Sequence, residues 1–169
     1  GPYEYPIEFE DLYLGNASAD FVKMNALVSS MDHMLGRTVD ILQSAGLWDA
    51  SLFVYFSDNG GWSCAGGKAT NWPFRGGKKT FWEGGVRTPA FVTGGGLPDE
   101  VRGATKVGNF HVADWYATLL RAANIPFPTD HVLLPGDSID HWSYITAAPG
   151  PTAACSTFNH KSTECNNLG

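Results

Sequence analysis

Asp58 and Asn59 stand side by side just after a short apolar run, Leu52-Phe53-Val54-Tyr55-Phe56, and together offer a carboxylate and an amide oxygen. Hard oxygen donors of this kind suit Ca²⁺ or Mg²⁺ rather than thiophilic metals. Calcium takes roughly six to eight oxygens, so two side chains make part of a site and the rest must come from elsewhere or from a bound anion. Asp58-Asn59-Gly60-Gly61 is equally good composition for a tight turn, and the spacing leaves both readings open.

The glycine-rich stretch that follows carries Lys68, Arg75, Lys78, Lys79 and Arg87. Cations set among glycines suit a sulfate or phosphate, held by charge and by backbone N–H groups; a solvated basic loop is the alternative. A nucleotide-binding P-loop fails on spacing, because Gly67 occupies its lysine position and Ala69 stands near its Ser or Thr. Gly61-Trp62-Ser63-Cys64-Ala65 only brushes against a nucleophile elbow, since its last residue is Ala. His33, His111, His131, His141 and His160 lack the close spacing of a zinc site, and His33 reads as a packed or surface residue of a helix.

The elements that must position these groups follow from the apolar pattern. Residues up to 15 show no sustained period and read as an extended lead-in. Over residues 20–45, Phe21, Met24, Leu27, Val28, Met31, Leu35, Val39 and Leu42 recur every three or four positions, which predicts one long amphipathic helix. Ser18 or Asp20 suits its start and Gly46 its left-handed stop. Residues 51–57 then read as a strand, giving a helix-then-strand unit of the kind that builds parallel sheets and placing Asp58 and Asn59 at a strand's carboxyl end, where open α/β sheets bind ligands. The loop over residues 58–87 is too long for a compact domain unless it binds something. A second strand over 89–93, a helix over 112–123 ending at Asn124 and Pro126, and a short docked helix within 139–145 complete the pattern. Residues 1–145 read as one domain, without repeats, and 146–169 as an irregular tail.

The bulk numbers set limits. A chain of 169 residues with 43% hydrophobic and 17% charged residues has the size of one globular domain. Its net charge of −6 and its basic residues gathered in one loop argue against nucleic acid as a partner. No window approaches the apolar length of a membrane span, and the first ten residues lack the plan of a signal peptide. Asn16-Ala17-Ser18 is a glycosylation sequon, and Cys155 and Cys165 are close enough in sequence for a local disulfide, leaving Cys64 as the odd cysteine. Both features lean towards the secretory pathway.

The blocks Ser57-Asp58-Asn59-Gly60-Gly61, Asn71-Trp72-Pro73, Arg75-Gly76, Lys78 and Trp82-Glu83-Gly84-Gly85-Val86-Arg87, in that order, resemble the sulfatase family, in particular its arylsulfatase B-like members. Leu27-Val28-Ser29-Ser30-Met31-Asp32 in the long helix and His111-Val112-Ala113-Asp114-Trp115 fit the same resemblance. So does Asp137-Ser138-Ile139-Asp140-His141-Trp142, where Ser138 replaces a usual glycine. The likeness covers roughly residues 5 to 145. It implies part of an alkaline-phosphatase-like α/β sandwich with a mainly parallel sheet flanked by helices. It further implies that Asp58 and Asn59 ligate Ca²⁺, that Lys78 contacts the sulfate group, and that the activity is hydrolysis of sulfate esters, in a secreted or lysosomal protein. Members of the family attack sulfur with a formylglycine hydrate while fixed cations neutralise charge on the sulfuryl oxygens.

The resemblance also exposes a gap. Formylglycine arises from the cysteine of Cys-x-Pro-x-Arg, whereas the cysteines here stand in CAGGK, CSTFN and CNNLG. The paired aspartates that complete the family's calcium site normally precede the point where this chain begins. Two expectations follow. The chain is the calcium-binding and sulfate-binding half of a sulfatase centre, completed by another polypeptide that carries the amino-side half. Alternatively, it is a catalytically inactive sulfatase-derived extracellular protein that is structural or binds sulfated glycans. A sulfate ester or sulfated glycan is the expected small partner in either case.

Overall fold

A computed structural model describes residues 4–15, 18–63, 69–127 and 137–148. Asn16, Cys64, Lys68, His131, Cys155, His160 and Cys165 lie outside the described residues, and with them the sequon and the candidate disulfide. The chain divides into two compact units, residues 1–96 and 97–169.

The first unit is organised by α1, Ala19–Ser44. The Ser18 hydroxyl accepts from the Phe21 N–H at 3.4 Å and caps the exposed first turn. At the other end Gly46 takes φ +68°, while Gly46 N donates to Gln43 O and Leu47 N to Leu42 O, the paired bonds of a Schellman stop. Only a residue at ease in the left-handed region closes both bonds cheaply, so Gly46 ends the helix as its position predicts. The lead-in is not extended: Ile7–Tyr13 forms a 3₁₀ helix that packs on α1. Phe9 meets His33 with ring centroids 5.7 Å apart, and the Tyr13 hydroxyl lies 2.6 Å from Ser29 Oγ. Two aromatics four residues apart on seven residues of chain give too little periodicity to read, which is why the sequence pattern missed the segment.

Strand β1, Phe53–Phe56, pairs with β2, Ala90–Thr93, in the register Phe53↔Thr93, Val54↔Val92, Tyr55↔Phe91 and Phe56↔Ala90. The pairing is antiparallel, and β1 and β2 make the sheet among the described residues. A parallel partner would need a crossover of about a dozen residues or more, usually a helix. Between β1 and β2 the chain instead makes one helical turn, α2, Glu83–Val86, within a loop that folds back to β1. Aromatic stacking fixes the register, with the rings of Tyr55 and Phe91 5.1 Å apart and those of Phe53 and Phe91 6.3 Å apart. The Tyr55 hydroxyl reaches Met31 Sδ at 3.0 Å and ties the strand to α1.

The second unit centres on α3, Asp114–Ala122, and α4, Trp142–Thr146. Asn124 takes φ +54°, with Asn124 N bonded to Arg121 O and Ile125 N to Leu120 O, so α3 ends as the Asn124 signal predicts. Buried Ala117 and Thr118 on α3 face the segment before α4. Ser138 Oγ accepts from Ala117 N at 3.0 Å and donates to Ala113 O at 2.8 Å, bridging the first turn of α3; a glycine at this position has no such group. No helix among the described residues is long and apolar enough to cross a membrane.

Candidate active site

Asp58 and Asn59 follow β1 directly, as their sequence position requires, and line a cleft of about 340 Å³ together with Met24, Trp62, Ala69 and Lys78. The strand end is held by a backbone bond from Ser57 N to Pro89 O at 3.1 Å. Asp58 Oδ1 accepts from Asn59 N at 2.8 Å, a local turn that fixes the carboxylate. The Asn59 amide nitrogen donates to Gly60 O at 3.0 Å. Turn and ligand readings are therefore compatible: the turn bonds use one oxygen of Asp58 and the nitrogen of Asn59. Asp58 Oδ2 and Asn59 Oδ1 enter no hydrogen bond among the described residues.

Lys78 is brought to these oxygens by a lattice of close backbone contacts. Gly60 N donates to Gly85 O at 2.9 Å, Lys78 N to Gly61 O at 3.0 Å and Gly84 N to Arg75 O at 2.8 Å. Asn71 clamps the same strands of loop: its Oδ1 accepts from Gly61 N at 2.8 Å and its Nδ2 donates to Gly61 O at 2.9 Å and Gly76 O at 3.1 Å. The backbone approach is so close that a Cβ on Gly60 would lie 1.7 Å from Gly84 O. Here the glycines are required by contact, not by φ.

This lattice changes one expectation about the loop. The N–H groups of Gly60, Gly61, Gly77, Lys78, Gly84 and Gly85 are already spent on internal bonds, Gly77 N on Thr80 Oγ1 at 3.1 Å. An anion in the cleft is therefore met by side-chain charge. Arg75 lies over the Trp82 ring at 3.8 Å from its centroid, and Arg87 lies 4.7 Å from the Phe74 ring and pairs with Glu83 at 3.1 Å. Lys79 sits 5.2 Å from the Trp62 ring. Of the loop cations among the described residues, Lys78 is the one that lines the cleft beside Asp58 and Asn59.

Hard oxygens are the right type of donor for calcium, and Asp58 and Asn59 fit it in chemistry while falling short in number. Among the described residues no three His, Cys, Asp or Glu side chains gather around a common point. The sequence pattern picked out Asp58, Asn59 and Lys78, and the fold brings these three together. It missed Asn71, whose clamp holds the loop, and Trp62 and Met24, which wall the cleft. Asn71 stands in the quoted Asn-Trp-Pro block, but the double clamp depends on a loop path that no spacing reveals.

The histidines separate from this cleft in chemistry. In the second unit, buried His141 places Nε2 3.2 Å from Oδ2 of buried Asp114. The same carboxylate accepts from His111 N at 2.8 Å and Ile139 N at 3.0 Å, while His141 N donates to Thr118 Oγ1 at 3.0 Å. Asp140 Oδ1 caps Trp142 N at 2.8 Å and its Oδ2 pairs with Arg121 at 3.0 Å. The contacts of Asp114 with Ile139 and His141, of Thr118 with His141 and of Arg121 with Asp140 dock the segment before α4 onto α3, and the arrangement reads as a structural lock.

Comparison with known proteins bears on the family of the chain. Residues 6–125 match the family profile described as Sulfatase. Mouse arylsulfatase J is 32% identical over 145 residues, which is 86% of this chain and 23% of the relative. A sulfatase of Formosa agariphila is 31% identical over 117 residues, covering 63% of this chain and 20% of its own length. The chain thus spans about a quarter or less of these curated relatives. Among solved structures, Ps i-CgsB, determined alone and in complex with k-i-k-neocarrahexaose, superposes with a TM-score of 0.72 at 25% identity, over 86% of this chain and 31% of that one. These neighbours share the α/β fold expected from the sequence. By profile, relatives and fold together, the chain belongs to the sulfatase family.

Proposed function

We propose that this chain supplies the calcium-binding and sulfate-binding half of a sulfuric-ester hydrolase centre, within a partial sulfatase domain over residues 1–145. One observation carries the reading: Asp58, Asn59 and Lys78 converge on a single cleft in which the N–H groups of Gly60, Gly61 and Lys78 are committed to the loop. Asp58 and Asn59 would hold Ca²⁺, and bound there it supplies positive charge against the sulfate oxygens. Lys78 donates hydrogen bonds from its ammonium to a sulfuryl oxygen and stabilises the negative charge that builds there as the ester bond breaks. The loop lattice fixes the Lys78 backbone beside the cleft beforehand, which limits the reorganisation needed during transfer. The nucleophile and the further calcium oxygens come from outside these 169 residues, on another polypeptide or another stretch of a longer one. The substrate class is a sulfate ester, and the compartment extracellular or lysosomal.

The test is release of 4-nitrophenol from 4-nitrophenyl sulfate by purified protein, retaining any polypeptide that accompanies this chain and identifying it by native mass spectrometry. Turnover is expected with Ca²⁺, is lost with EDTA, and falls about 10² to 10³-fold in Lys78→Gln. Folded protein that carries no second polypeptide, contains no Cys-x-Pro-x-Arg segment and releases no sulfate would overturn the enzyme reading in favour of a nonenzymatic glycan-binding one.

A further inference from the structure

Asn59-Gly60 is the one Asn-Gly pair in the chain. In such a pair the backbone nitrogen of the glycine can attack the side-chain amide carbon of the asparagine, because no Cβ shields that nitrogen and the peptide turns freely. The step balances with water alone. The Gly60 nitrogen gives its proton to solvent base and bonds to Asn59 Cγ, the Cγ–Nδ2 bond breaks, and ammonia leaves. Water then opens the cyclic imide at either carbonyl and yields aspartate or isoaspartate. Isoaspartate carries the main chain through the former side chain and shifts everything that follows it.

The fold sets two requirements against each other at this pair. Gly60 has no substitute, since a Cβ there would lie 1.7 Å from Gly84 O, and the same bare glycine leaves Asn59 open to attack. The reacting groups are also close: Asn59 Nδ2 donates to Gly60 O at 3.0 Å, which lays the amide along the peptide that would attack it. The loop lattice opposes the step. Gly60 is buried and its N–H donates to Gly85 O at 2.9 Å, so the proton that must leave is held away from solvent base. Asn71 grips both Gly61 N, at 2.8 Å, and Gly61 O, at 2.9 Å, and so resists any swing of the Gly60 nitrogen towards Cγ. A buried N–H held in this way reacts only from an opened state, at a rate proportional to the population of that state.

We propose that Asn59 is a self-modifying site, an intramolecular deamidation centre that the glycine lattice holds in check, so that conversion of Asn59 reports opening of the loop. The bond from Gly60 N to Gly85 O is the restraint, and Asn71 is the residue that maintains it. The inference stands on the geometry of the loop and is independent of whether the cleft takes calcium or sulfate.

The experiment incubates purified protein, this chain in full with any polypeptide that accompanies it, in mildly alkaline buffer with EDTA. Peptide mapping by mass spectrometry at mildly acidic pH then follows the mass gain of amide-to-acid conversion at Asn59 and resolves the isoaspartyl form. Folded wild-type protein converts at least about tenfold more slowly than the same protein unfolded in urea. Asn71→Ala, which leaves the Asn-Gly pair intact, raises the folded rate by about threefold or more. Thr80→Val is the second variant should Asn71→Ala fail to fold: it deletes the hydroxyl that accepts from Gly77 N and donates to Gly77 O, and it raises the rate in the same direction. Asp114→Asn loosens the second unit instead and leaves the Asn59 rate at the wild-type value. Equal rates in folded and urea-unfolded wild type overturn the proposal, and so does an Asn59 that stays intact in urea. A wild-type rate in folded Asn71→Ala and Thr80→Val, or an equal acceleration by Asp114→Asn, also overturns it, because the restraint would then not lie in this lattice.

Discussion

Gly60 and Gly84 touch backbone to backbone: a Cβ added to Gly60 would stand 1.7 Å from the Gly84 carbonyl oxygen and 2.7 Å from its carbonyl carbon. The obstacle is main chain, which cannot rotate aside as a side chain does. Gly60 also follows Asn59 directly and donates to Gly85 O, so this contact sets the distance between the end of β1 and the loop that carries Lys78. Gly60→Ala is expected to cost about 3 kcal/mol, the upper end of overpacking penalties, and to spread Asp58 from Lys78. Urea denaturation reads the first effect. A midpoint equal to wild type would show that the two loops do not pack as described.

Tyr5 gives a pH signature for the 3₁₀ segment. Its hydroxyl donates to the Glu10 carboxylate, and that bond, with a smaller effect of burial and of the Glu10 charge, pushes its pKa up to about 12. The folded value is raised, so the stabilisation is fully present below the ordinary tyrosine range near pH 10 and is lost as pH rises towards 12. Absorbance of phenolate at 295 nm should show one tyrosine titrating late, and Tyr5→Phe should delete that late step. If the late step persists in the variant, the Tyr5–Glu10 bond is not its source.

The local structure of both units was legible where one residue type settles one local question. Gly46 ended α1, Asn124 ended α3, and short apolar runs bounded by turn residues located both strands to within two residues. Pairing direction was not legible, because it depends on whether the chain between β1 and β2 can build a crossover, and that loop's path is fixed by contacts among Gly60, Gly84, Gly85 and Asn71. The same reason explains the site. Asp58 and Asn59 announced themselves by chemistry and Lys78 by the sulfatase resemblance, whereas Trp62 carries no metal or sulfate chemistry in its residue type and became a cleft wall only through folding. Asp114 and His141 carried motifs without a stated task, and their burial supplied it.

Asp114 is expected to be the most sensitive residue of the second unit. Its two carboxylate oxygens serve the N–H groups of His111 and Ile139, in partly buried bonds, and the ring of His141, in a buried one. Asp114→Ala leaves those donors unmet, each costing roughly 1 to 3 kcal/mol, so a loss of about 3 kcal/mol or more is expected. Asp114→Asn keeps one acceptor oxygen and should lose about half as much. Thermal melts of the two variants would rank them in that order; equal melting temperatures would mean that the carboxylate does not hold the α4 segment.

Asp58 connects the metal assignment to stability. A ligand that binds only the folded state stabilises it by RT ln(1 + [L]/Kd), about 2.7 kcal/mol at a hundredfold excess over Kd. Purified protein, with any polypeptide that accompanies it, should therefore melt higher in millimolar Ca²⁺ than in EDTA. Asp58→Ala removes a charged oxygen from the cleft, while the one bond that carboxylate makes among the described residues, to Asn59 N, is local and exposed, so the EDTA melting temperature should change little. The calcium-dependent increment should disappear. Asn59→Asp provides the complementary variant, because a second carboxylate strengthens the attraction for a divalent cation and should preserve or enlarge the increment. A calcium shift that survives intact in Asp58→Ala assigns the metal to other ligands and removes Asp58 from the site.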